Sequence, residues 1–119
     1  MKILICDDDQ TITSLIRFKL EREIFAELFI ATNGHKAMEL LGEHSFDLLI
    51  TDIHMPYHNG DELMKRLHNT NKPKAPVIMM SSDGEEEIKT LANKQGVRHF
   101  LTKPFNVKEL VRIVKGFVR

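Results

Sequence analysis

Five short apolar runs punctuate the chain at regular intervals: Ile3 to Cys6, Leu28 to Ala31, Phe46 to Thr51, Val77 to Met80, and Val97 to Leu101. Each is rich in β-branched or bulky side chains and has the length of a strand. Most are apolar on successive positions and not on alternate ones, the pattern of strands buried on both faces of a parallel sheet. Helical spacing fills the intervals. Ile12, Leu15, Ile16 and Leu20 share one face, with Arg17, Lys19 and Glu21 elsewhere. Ala37, Leu40 and Leu41 mark a second helix, Leu63, Met64 and Leu67 a third, Ile88 and Leu91 a shorter fourth, and Leu110, Ile113, Val114 and Phe117 a fifth. The order is strand then helix, five times over.

Helix boundaries are signalled separately from the apolar pattern. Asp83 with Glu86, and Asn106 with Glu109, each place a capping side chain three residues before a carboxylate. Gly42, Gly96 and the Pro73/Pro76 pair fall where helices stop or strands begin. Crossovers between parallel strands are right-handed, and each helix must bury its apolar face against the sheet. The expectation is therefore an α/β, (βα)5 doubly wound sandwich with a five-stranded parallel sheet. The 119 residues form one domain, 1–119, with no linker, repeat or low-complexity stretch.

Composition narrows the functional classes. No apolar run approaches the roughly 20 residues that span a bilayer. Met1-Lys2 leads directly into Ile3, too abrupt a start for a signal peptide. Cys6 is the only cysteine, which excludes an internal disulfide and a cysteine-rich zinc site and makes the cytoplasm the default location. Seventeen basic and 17 acidic side chains cancel, so no global basic field draws nucleic acid. The local balance is uneven: Asp83 to Glu87 is acidic, and Lys94 to Arg119 carries seven Lys or Arg against Glu109 alone. These runs read first as solvated faces complementing helix dipoles and second as a partner surface.

Chemistry gathers at the strand ends, where α/β folds bind ligands. The first strand ends in Asp7-Asp8-Asp9, the third in Thr51-Asp52, the fourth in Ser81-Ser82, and the fifth in Thr102-Lys103-Pro104. Parallel strands deliver all of these to one rim. Carboxylates so close repel unless a cation neutralises them, and an all-oxygen donor set favours Mg²⁺, Ca²⁺ or Mn²⁺ over zinc or copper. An aspartate can also attack phosphorus to give an acyl phosphate. Asp52, alone at the end of the central strand, is the nucleophile candidate, with Asp7 and Asp8 to hold the metal; Asp9 reads better as a helix N-cap. His54 and His58 are separated by Pro56 and do not form a helical zinc pair.

These residues resemble the response regulator receiver family of two-component signalling over essentially the whole chain. The motifs are Ile3-Leu4-Ile5-Cys6-Asp7-Asp8-Asp9, Asp47-Leu48-Leu49-Ile50-Thr51-Asp52-Ile53-His54-Met55-Pro56, Gly60, Ser81, and Leu101-Thr102-Lys103-Pro104-Phe105, in order and correctly spaced. The resemblance implies a flavodoxin-like strand order 2-1-3-4-5. It implies that Asp52 is the phosphoacceptor and that Asp7, Asp8, Asp52 and the backbone carbonyl of His54 hold Mg²⁺, with Mn²⁺ as a substitute. Ser81 is similar to the family's switch hydroxyl, Lys103 to the cation on a phosphate oxygen, and Phe100 to the aromatic that changes burial when the hydroxyl moves. The responding surface would be the fourth helix, fifth strand and fifth helix, approximately Gly84 to Gly116. Lys103-Pro104 matches a bond commonly cis in these domains.

The implied partners are a sensor histidine kinase or phosphotransfer protein upstream, and a downstream protein or fused effector. Neither nucleic acid nor membrane is expected to bind the domain itself, and no enzymatic turnover beyond its own phosphorylation and dephosphorylation. Several positions bear on how closely the chain follows the family pattern. Arg98-His99 stand where many transcription-factor receivers carry two acids, which argues against their salt-bridged dimer; Ser82 replaces a frequent alanine; His54 and Asp83 occupy positions that influence phosphate lifetime. Two rival functions remain. A small aspartate-nucleophile phosphatase shares the carboxylate, hydroxyl, lysine and Mg²⁺, but His54 stands where its second acid belongs. A non-phosphorylated flavodoxin-like module leaves the acidic pair unexplained and lacks a Gly-rich phosphate loop after the first strand. A start at methionine and a fold complete by the fifth helix favour a stand-alone regulator.

Overall fold

A computed structural model of the chain describes residues 1–52, 75–82, 97 and 99–118. Within them the elements run β1 (Lys2–Cys6), α1 (Gln10–Glu23), β2 (Glu27–Ala31), α2 (Gly34–Glu43), β3 (Leu48–Asp52), β4 (Val77–Ser81), β5 (His99–Thr102) and α3 (Val107–Lys115). The fifth helix of the sequence pattern is thus α3. The third and fourth, with the cap at Asp83 and the breaks at Pro73 and Gly96, lie outside the described residues. The five strands form one sheet in the order β2-β1-β3-β4-β5, parallel at every pairing, as expected.

The unbroken apolar runs are divided by the two-residue period of a strand. Ile3 and Ile5, Leu48 and Ile50, and Ile78 and Met80 face one side, where Ile16 and Leu20 of α1 and Leu110, Val111 and Val114 of α3 cover them. Leu4 and Cys6, Leu49, and Val77 and Met79 face the other, beneath Ala37, Leu40 and Leu41 of α2. β1 is buried from Ile3 onward, and β3 and β4 throughout, whereas the outermost strands β2 and β5 are only partly covered. A sheet edge has a neighbour on one side only.

The first helix differs in detail from its sequence pattern. Leu15 is 44% exposed, and Thr13 is buried instead. At 3.6 residues per turn Leu15 lies about 100° round from Ile16, off the buried stripe, whereas Thr13 falls within it. The Thr13 hydroxyl is satisfied by donating to the Gln10 carbonyl at 3.2 Å. Asp9 caps this helix, accepting from Thr11 N and Ile12 N, and the chain turns extended at Ile24. Asn33 caps α2 through Lys36 N, and Asn106 caps α3 through Lys108 N. Gly42 does not end α2, which continues to Glu43 before His44 leaves the helical conformation.

Candidate functional site

Three of the parallel strands bring an ionisable residue to the same rim. Asp7 follows β1, Asp52 ends β3, and Lys103 follows β5. Each is aligned by its ladder: Asp7 N donates to Ala31 O at 3.1 Å, Asp52 lies beside Met80, and Lys103 N donates to Ser81 O at 2.7 Å. The Lys103 side chain then reaches inward. Its Nζ donates to Asp7 Oδ2 at 2.7 Å and to Asp52 Oδ2 at 2.8 Å, joining residues 96 and 51 positions distant in sequence. The Lys103–Pro104 peptide bond is cis.

Burial makes these contacts consequential. Asp7 is fully buried and Asp52 only 7% exposed. Carboxylates removed from water are costly unless paired and hydrogen-bonded. Asp7 meets that requirement on both oxygens, since Oδ1 accepts from Asp9 N at 2.9 Å while Oδ2 faces the lysine. Burial alone would pull the Lys103 ammonium down, but its hydrogen bonds to Asp52 and Asp7, together with their charges, outweigh that and hold its pKa above the ordinary lysine value. The site is therefore a charge-assisted triad.

Asp8 completes an acidic cluster from the solvent side. Asp7, Asp8 and Asp52 each offer a carboxylate oxygen, all within 4.8 Å of one another, with Asp8 exposed and the other two buried. Three hard oxygens at that spacing, open to water on one side, suit a divalent ion that keeps part of its hydration shell, which describes Mg²⁺ better than zinc. The donor set fits. Lys103 already touches two of the three carboxylates, so a cation drawn to this cluster meets an ammonium group there first.

The other sequence-predicted residues fall as follows. Ser81 is fully buried at the end of β4, one position past the residue opposite Asp52, and it lies beside Thr102. Phe100 is half-buried and packs on the core face that contains Met79 and Val97. His54, whose carbonyl was expected among the metal ligands, lies outside the described residues, as does His58. Met79 and Met80 are strand core. One participant was missed: Thr51, fully buried, donates its hydroxyl to the Asp52 carbonyl at 3.0 Å and so braces the backbone that carries the carboxylate. A lone hydroxyl residue at the end of an otherwise apolar buried strand was the available signal.

An apolar cleft of about 320 Å³ opens beside Lys103, lined by Ile12, Leu15, Ser82, Phe105 and Val107 together with Pro104. Among the described residues, no helix is long and apolar enough to cross a membrane.

The family model of the response regulator receiver domain matches residues 3–115. The chain belongs to that family. This receiver is 40% identical over 118 residues to the transcriptional regulatory protein CpxR of Escherichia coli, a match covering 99% of the receiver and 49% of CpxR. It thus spans about half the length of the curated relatives it matches. Among solved structures it is similar to the receiver domain of the Francisella response regulator 1452, with a TM-score of 0.87 and 34% identity over 98% of this chain and 94% of that one. It is also similar to the chemotaxis response regulator CheY4 of Vibrio cholerae, with a TM-score of 0.88 and 26% identity over 98% of each chain. The flavodoxin-like sheet order and the receiver assignment both stand on these likenesses. Receivers bind Mg²⁺ at an acidic pocket, and the cluster of Asp7, Asp8 and Asp52 is the pocket that fits.

Proposed function

We propose that residues 1–119 form a single receiver unit that accepts a phosphoryl group on Asp52 from the phosphohistidine of a sensor kinase or phosphotransfer protein. The observation that carries the reading is the Lys103 bridge: a partly buried cation 2.8 Å from Asp52 Oδ2 and 2.7 Å from Asp7 Oδ2 at the carboxyl rim of the sheet. In this reading an Asp52 oxygen attacks phosphorus, and the new P–O bond forms as the P–N bond breaks. The donor imidazole leaves with that electron pair and takes up a proton. Asp7, Asp8 and Asp52, with the His54 carbonyl, would hold Mg²⁺, with Mn²⁺ as substitute; when bound, the ion supplies positive charge to the phosphoryl oxygens.

Lys103 would neutralise one further oxygen of the phosphoryl group, giving up a carboxylate contact to do so. Ser81 would turn its hydroxyl toward the phosphoryl group from the adjacent strand end, and its movement would let the half-buried Phe100 repack inward. The fourth helix, β5 and α3 would then present an altered surface to a downstream protein or fused effector. The apolar cleft lined by Ile12, Leu15, Phe105 and Val107 borders Lys103 and would offer an incoming donor protein a seat beside that lysine. A cytoplasmic site of action follows from a kinase donor. The chain turns over no substrate beyond its own acyl phosphate.

Incubation with acetyl phosphate and Mg²⁺, followed by intact-mass spectrometry, tests the assignment. One phosphoryl group is expected on the native chain and none on Asp52→Asn. Persistent labelling of Asp52→Asn, or steady hydrolysis of a phosphate monoester by the native chain, would refute it.

A further inference from the structure

The basic C-terminal stretch noted in the sequence acquires a shape in the fold. A groove of about 290 Å³ runs between α1 and α3, lined by Lys19 and Glu23 from α1 and by Lys108, Val111, Arg112 and Lys115 from α3. Four cations here face one carboxylate, a local positive excess in a chain whose formal net charge is zero. Lys108, Arg112 and Lys115 are all exposed and follow one another at intervals of four and three residues. That spacing sets them along one side of α3 in a stripe of about 10 Å.

The groove already holds a carboxylate of its own. Glu23 Oε2 accepts from Lys115 Nζ at 2.6 Å across the two helices. The hydrogen bond and charge of Lys115, with Lys19 and Arg22 nearby, hold the Glu23 carboxyl below the ordinary glutamate range. A single inorganic anion would reach one or two of these cations. Anionic groups repeated along two helical turns would reach all of them, and a peptide with acids at three- and four-residue spacing presents that pattern.

Two features favour peptide over nucleic acid. Val111 and the aliphatic stems of the lysines give the groove apolar surface, which suits side chains interleaved with acids. Glu23 sits where an unbroken run of phosphates would meet it, whereas a peptide can place an uncharged residue opposite. We propose that the groove between α1 and α3 docks an acidic, amphipathic peptide segment of a partner protein. Phosphoryl transfer to Asp52 is not required for this interaction, and the two readings can fail separately.

Fluorescence anisotropy of a labelled peptide of Glu-Glu-Leu repeats, titrated with the full chain at low salt, provides the test. Saturable binding is expected, weakening as salt rises. Arg112→Glu should weaken it roughly tenfold and Arg112→Gln less, while Lys36→Glu on α2 leaves it unchanged. Glu23→Gln, which removes the competing carboxylate and frees Lys115, should tighten it by roughly threefold. Far-UV circular dichroism confirms that each variant is folded. Absence of saturable binding, equal effects of Arg112→Glu and Lys36→Glu, or tighter binding of a single-stranded DNA oligonucleotide of equal charge would overturn the proposal.

Discussion

Replacing Lys103 with alanine removes an ammonium group that lies 2.7 Å from Asp7 Oδ2 and 2.8 Å from Asp52 Oδ2. Two buried carboxylates are then left facing each other, with oxygens within 4.8 Å. At an effective dielectric constant near 20, charges at that distance repel by about 3 kcal/mol. Removing one partner of a buried ion pair costs about 3–5 kcal/mol by measurement on other proteins, so the two approaches agree. Lys103→Ala should therefore lose about 3 kcal/mol at neutral pH without Mg²⁺, or roughly 10 °C in Tm. Millimolar Mg²⁺, a replacement cation, should recover part of it. The native chain responds to pH at the alkaline end. Lys103, raised in the fold above 10.5, contributes fully below that value and loses its contribution as pH rises through the higher folded pKa. The chain has no tryptophan, so urea unfolding is best followed by far-UV circular dichroism. A loss under about 1 kcal/mol, with no rescue by Mg²⁺, would show that Lys103 does not offset the charge of the two carboxylates.

Two further outcomes bear on the scaffold. Cys6 is fully buried in β1, and burial pushes its thiol well above the ordinary cysteine range despite a hydrogen bond to Thr51; a thiol-specific alkylating reagent at pH 8 should label it only as fast as the chain unfolds, and rapid labelling of the native protein would contradict its position in the core. Asn106→Ala removes the side chain that accepts from Lys108 N at the start of α3 and should cost about 1 kcal/mol in urea unfolding, whereas an unchanged midpoint would mean that the backbone finds another acceptor.

How much of this was legible beforehand depends on whether a feature is local in sequence. The central strands were readable because burial on both faces leaves an uninterrupted apolar run, as in Leu48-Leu49-Ile50 and Val77-Ile78-Met79-Met80. The acidic rim was readable for a related reason: parallel topology turns several separate signals, each an apolar run ending in a polar residue, into one cluster, so Asp7, Asp52 and Lys103 needed no knowledge of distance to be grouped. Their pairing was not readable. The sequence assigned Lys103 to an incoming phosphate and the acids to a metal, whereas in the fold the lysine already bridges Asp7 and Asp52. Only coordinates reveal that a cation expected to meet the phosphoryl group first serves as the internal counter-ion. The α1–α3 groove was less legible still, because it depends on the rotation of each helix about its axis. The same rotation exposes Leu15 and buries Thr13, and a shift of one residue in either helix would send Lys19 or Arg112 away from the groove. Chemistry placed by strand ends thus survives small errors in reading the chain, whereas chemistry placed by helix faces does not.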